Sequence, residues 1–200
     1  ASTQPLGSLC GSLKKGADHA AALKFPEEVL LNYRLFPDMF TLVRQVQIAS
    51  DFAKGCTARL AGREVPKWED TEKTFAELQV RLDKSIDFVQ SVPAAEIVGQ
   101  EGREVSLVAG GQTMNFVAQP YLLSFVLPNF FFHASMVYAI LRSNGVEVVD
   151  SWETAYYEEF SGSGGSAGTK PLVVSYASSP PAEVVFADPP VDTAPTGVAV

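Results

Sequence analysis

Residues 121–142, YLLSFVLPNFFFHASMVYAILR, form the longest apolar run in the chain, and the fold turns on what surrounds them. Within the run, Ser124, Asn129, His133 and Ser135 are the polar interruptions. A membrane span needs about 20 apolar residues, so the length qualifies. Pro128, Asn129 and His133 would then sit near mid-bilayer, where polar groups are costly unless partnered. A helix enclosed by other helices in a soluble domain is also apolar on nearly every face. Three amphipathic segments upstream are available to enclose it. The soluble reading is therefore preferred, and no membrane contact is expected.

Those segments follow from spacing. Leu6, Leu9, Leu13, Ala17 and Ala20 recur at intervals of three and four and predict a helix over 5–24. Gly7, Gly11 and Gly16 weaken it but permit close helix approach. Phe25-Pro26-Glu27-Glu28 reads as a short helix start, followed by the apolar Val29-Leu30-Leu31. Phe36-Pro37-Asp38 repeats that signal for a longer helix carrying Met39, Val43, Val46, Ala53, Cys56 and Leu60 on one face, ended by Gly62. Its Arg44, Gln45, Gln47 and Asp51 are expected mostly at the surface. Asp70 or Thr71 caps the next helix, whose stripe is Phe75, Leu78, Leu82, Ile86 and Val89. Glu77 and Arg81 are expected to pair at i,i+4, and Pro93 to stop the helix.

Residues 103–118 alternate instead. Val105 and Leu107, then Met114 and Phe116, flank Gly110-Gly111, a pair suited to the positive φ of a two-residue hairpin turn. Gln119-Pro120 opens the apolar helix and Asn144-Gly145 closes it. The expected fold is all-α, a four-helix bundle with a small β-hairpin before the last helix.

Beyond residue 146 the composition changes. Residues 1–144 carry 14 Lys and Arg against 15 Asp and Glu, whereas 145–200 carry one Lys against 8 acids. Val146–Val149 reads as a short strand, SGSGGSAGT at 161–169 as a flexible linker, and PLVVSYA at 171–177 as a buried strand. The expected division is a helical domain at 1–146 and an acidic, Gly/Ser/Pro-rich, poorly ordered tail at 147–200.

The net charge of −8 argues against nucleic-acid binding, which needs a basic face. Cys10 and Cys56 are too few for a disulfide framework. Ala1–Ser12 lacks the basic start and apolar stretch of a signal peptide, so a cytoplasmic location is the expectation.

His133 is the leading functional candidate, with Asn129 one turn before it on an apolar helix. A buried imidazole needs partners for its nitrogens and serves as a general base, a lone metal ligand or a residue fixing helix register. Asp38, Gln45 and Gln47 are candidate polar partners. The two glutamines, two residues apart, are expected to place at most one side chain inward. His19 reads as a surface imidazole near a helix C-terminus, and Cys56 as a core residue. No cofactor is expected.

The segments at 29–62 (VLLNYRLFPDMFTLVRQVQIASDFAKGCTARLAG), 68–82 (WEDTEKTFAELQVRL) and 121–146 resemble, in order, a bacterial and fungal family of unknown function, number nineteen ninety-three, in the DinB-like superfamily. The resemblance implies a DinB-like four-helix bundle and no particular activity. The wider superfamily often holds a metal on three histidines. This chain has two, His19 and His133, so that site is not possible, and Ser124 stands where similar members often carry histidine. Residues 148–198 resemble an internal piece of a thiamine-type periplasmic solute-binding protein, without the rest of its two-lobed fold. A natural fusion, a misassembled gene and an artificial sequence all fit this join, the natural fusion least well. Three functions follow as expectations: an unknown small molecule bound in a pocket beside the last helix, a non-catalytic homodimeric interaction module, or a solute-binding remnant in the tail.

Overall fold

The structure is a computed structural model that describes residues 3–109 and 111–148. The expectations for the tail therefore lie outside the described residues, except at 147 and 148. Four long helices build the bundle: α1 (Gln4–Leu23), α3 (Leu42–Leu60), α4 (Phe75–Ser91) and α5 (Ala118–Ser143). A single turn, α2 (Glu28–Leu31), tucks Leu30 and Leu31 into the core. Helix α3 packs against α4 and α5, and α1 against α4 and α5, so each long helix has two neighbours. Strands β1 (Glu104–Ala109) and β2 (Gln112–Val117) pair antiparallel, with Val105 opposite Phe116 and Leu107 opposite Met114. Gly111 has φ +77°, the positive value that the tight turn requires.

The main core joins all four helices through Leu9, Leu13, Leu42, Val46, Leu78, Leu82, Val137 and Ile140. A second core lies by the hairpin, where Cys56, Leu60, Val105, Ala118, Tyr121 and Val126 meet. Helix α5 is the one helix among the described residues long and apolar enough to cross a membrane. Its inner positions Val137, Ile140 and Leu141 are fully covered within the bundle.

Several helix boundaries differ from expectation, each for a local reason. Phe36-Pro37-Asp38-Met39 is a turn, with Met39 N–H bonded to the Phe36 carbonyl at 3.0 Å. Proline suits the second position of such a turn as well as it suits a helix start. Helix α3 begins later, where the Thr41 side chain accepts from Arg44 N–H. Helix α4 is capped by Thr74, not by Asp70 or Thr71. Thr74 and Glu77 form a reciprocal capping box, which occupies the carboxylate expected to pair with Arg81. Residues 146–148 form no strand. They carry Val146 and Val148 into the core, and Lys15 donates to the Val148 carbonyl at 2.6 Å.

Helix α5 contains a π-helical turn, Tyr121–Val126, directly before Pro128. Proline offers no N–H, and in regular α geometry its ring would press on the Ser124 carbonyl. The wider turn relieves that conflict. Gly145 (φ +81°) ends the helix, with Val146 N–H returning to the Leu141 carbonyl at 3.0 Å.

At Gly16, α1 packs closely against Leu141 of α5 and Phe75 of α4. A Cβ there would lie 2.9 Å from Leu141 Cδ2 and 3.1 Å from the Phe75 ring. Gly16→Val should destabilise the bundle by about 1–3 kcal/mol through overpacking. Gly7, with nothing within 4 Å of a Cβ, should gain roughly 0.5–1 kcal/mol on substitution by Ala. Chemical denaturation of the two variants reads both signs.

Candidate functional site

His133 is buried, 7% exposed, on the α3-facing side of α5. Its Nδ1 lies 2.6 Å from Gln45 Oε1. An amide oxygen only accepts, so Nδ1 carries the proton and donates. Gln45, 1% exposed, turns its own amide N–H toward the Phe40 carbonyl at 3.4 Å. This arrangement fixes the tautomer and leaves the Nε2 lone pair outward. No fully buried side-chain nitrogen or oxygen among the described residues lacks a partner. Nε2 has none among the described residues, which leaves it at the less enclosed edge of the ring.

The imidazole stacks on Phe52 at 6.0 Å and meets Phe132 edge-on at 5.1 Å. Phe52 contacts Phe125, which contacts Phe116 and Tyr121, so the aromatic contacts run from His133 to the hairpin. Burial first, and then the positive charge of Arg44, hold the His133 pKa below its ordinary 6.5. The ring is therefore a neutral hydrogen-bond acceptor with the electronic form of a general base.

The other candidate residues do not join it. Asn129 donates to the Phe125 carbonyl at 2.7 Å, satisfying backbone beside the π turn and Pro128. Asp38 is exposed in the turn before α3. Gln47 is buried as well as Gln45, at 4% exposure, contrary to the expectation of one inward glutamine. Two residues along a helix turn the side chain by about 200°. Gln45 thus meets α5, whereas Gln47 donates to Glu72 Oε2 at 2.9 Å on the other side.

On that other side lies a charge cluster that the sequence did not announce. Arg81, 3% exposed, forms ion pairs with Asp51, Asp70 and Glu72, each at 2.9 Å. Burial opposes its charge, but hydrogen bonding to Glu72 and the three carboxylates outweigh it, so its pKa lies above the ordinary value. Lys54 joins Asp51 at 2.8 Å, and Arg44 pairs with Asp70. Lys54 and Lys84 lie 4.3 and 4.6 Å from the centre of the Trp68 ring. Three cations thus meet three carboxylates, and the 63–74 loop is strapped to α3 and α4.

The cysteines suit no nucleophilic role. Burial pushes the Cys56 thiol up to about 12, and burial with the Asp83 charge pushes Cys10 up to about 11. Among the described residues, no three His, Cys, Asp or Glu side chains converge to hold a metal ion. Two open clefts are lined by the 67–84 region and by α1 with α4, and neither includes a residue of α5.

The family described as domain of unknown function (DUF1993) matches residues 1–151. A crystal structure of a DinB family member from Shewanella denitrificans is similar at 33% identity with a TM-score of 0.68, over 76% of this chain and 84% of that one. None of the curated proteins compared matches the chain.

Two outcomes test this site. Because folding depresses the His133 pKa, the unfolded chain takes up the proton first as pH falls. The resulting stability is complete above about 6.5, declines below it, and is fully lost once pH passes the folded value. Melting midpoints across pH 4–8 should show this loss, and His133→Gln should flatten that part of the profile. Arg81→Met should cost roughly 3 kcal/mol by leaving carboxylates unmatched, at the low end for a buried pair because Asp51 and Asp70 still reach water. Urea denaturation measures it.

Proposed function

The chain belongs to the DUF1993 family of DinB-like helical bundles, for which no activity is established, and from that premise we propose that it binds a small molecule beside α5 through His133. One observation carries the reading: a largely buried imidazole, oriented by Gln45 through Nδ1, has no partner for Nε2 among the described residues. Such a nitrogen accepts a hydrogen bond from a ligand N–H or O–H, and proton abstraction would use the same lone pair. Phe132, half exposed beside the ring, supplies an apolar contact for the ligand body. A cytoplasmic location belongs to this reading.

A second reading, a homodimeric interaction module, is favoured by the exposed apolar residues of α5. Leu123, Leu127, Phe132 and Tyr138 are exposed there, more apolar surface than an isolated bundle helix needs to show.

Nitrogen-correlated spectra of the imidazole rings, recorded against neutral fragments bearing one hydrogen-bond donor, separate the two. Under the first reading at least one fragment shifts His133 Nε2 saturably, and His133→Ala abolishes its binding. If no fragment does so while His133→Ala merely lowers the melting midpoint, the ligand role is wrong. Concentration-dependent mass in light scattering, reduced by Phe132→Glu, would then favour the dimer.

A further inference from the structure

Of the four asparagines in the chain, Asn144 alone is followed by glycine. We propose that Asn144-Gly145 is a modification site, a deamidation point whose rate is set by opening of the last turn of α5. The reaction needs water alone. The Gly145 backbone nitrogen, losing its proton, attacks Asn144 Cγ; the N–Cγ bond forms, the Cγ–Nδ2 bond breaks, and ammonia leaves. Water then opens the five-membered imide at either carbonyl. One opening leaves aspartate, the other isoaspartate, with the chain running through the side-chain carboxyl. Glycine favours the attack because no Cβ shields its nitrogen.

The folded turn opposes each requirement. Asn144 has φ −101° and ψ 15°, which places the Gly145 nitrogen on the side of the Cα–C bond away from Cβ. That N–H donates to the Arg142 carbonyl at 3.0 Å. Nδ2, the leaving nitrogen, donates to the Ile140 carbonyl at 2.8 Å and to Ser143 Oγ at 3.3 Å, holding Cγ back over the helix. Val146 clamps the next position: its N–H returns to the Leu141 carbonyl, its carbonyl accepts from Arg142 at 3.3 Å, and its side chain is 1% exposed. Reaction therefore waits for the turn to open, a local event that helix ends undergo without global unfolding.

The products do not refit the turn. Aspartate puts an oxygen where Nδ2 donated, so that two acceptors face each other at Ile140. Isoaspartate adds a methylene to the backbone directly before Gly145 and displaces Val146 from its place in the core. The modification converts a transient opening into a lasting one, at the end of the bundle where Lys15 holds the Val148 carbonyl.

Peptide mapping of the full chain at mildly alkaline pH, resolving asparagine, aspartate and isoaspartate at position 144, gives the rate. It should be at least about tenfold slower in the folded chain than in urea. Val146→Ala removes the core anchor of the turn without touching Asn144 or Gly145, and should raise the folded rate about threefold or more while leaving the urea rate unchanged. Lys15→Met, which frees the Val148 carbonyl, is the milder version and should act in the same direction. Val89→Ala thins the core at the opposite end of α1, where Gln90 donates to Thr3, and should leave the folded rate unchanged. Asn144→Asp should lower the melting midpoint by about 2–4 °C. Equal rates folded and in urea, no reaction in urea, acceleration by Val89→Ala as large as by Val146→Ala, or an unshifted midpoint in Asn144→Asp overturns the proposal.

Discussion

A helix that is apolar around most of its circumference has to be covered, and the covering of α5 sets the positions of everything else. Helix α1 reaches it only because Gly16 has no side chain where Leu141 and Phe75 converge. Helix α3 covers another side, and the hairpin joins the second core around Tyr121 and Val126. Leu123, Leu127, Phe132 and Tyr138 stay uncovered. The partial enclosure explains why His133 is desolvated and yet keeps one nitrogen accessible.

The polar groups of the interior are arranged around α3, which separates two systems of opposite character. Gln45 turns to α5 and holds a neutral imidazole. Gln47 turns to Glu72 and joins a network of full charges. Burying Arg81 is tolerable because three carboxylates share it and because Ser50 and the Glu69 carbonyl accept its remaining N–H groups at 3.2 Å. Two of those carboxylates come from the 63–74 loop, so the electrostatic match also fixes a segment that has little regular structure of its own.

Much of the fold was legible in the sequence because its dominant signals are periodic. The stripes Leu6-Leu9-Leu13 and Phe75-Leu78-Leu82-Val89, the Gly-Gly turn and the Asn-Gly helix stop each follow from local geometry, and each appears where expected. What failed involved a residue with two possible partners. Pro37 suits a turn and a helix start; Glu77 can serve a cap or an i,i+4 pair, and the cap won because it satisfies two backbone N–H groups at once. The contact of His133 with Gln45 was legible only as a set of candidates. An 88-residue separation leaves no trace in local spacing, and Gln47 and Asp38 stood beside Gln45 as candidate partners. The Arg81 cluster was less visible still. Asp51, Asp70 and Glu72 read singly as surface acids, and only tertiary packing gathers them around one guanidinium.

Arg44 links the two polar systems. It pairs with Asp70 in the charge cluster and hydrogen-bonds Gln47, while its positive charge helps keep His133 neutral across α3. Burial comes first in lowering the imidazole's proton affinity, and the charge of Arg44 adds to it. One cation thus belongs to the charge cluster and also bears on the imidazole.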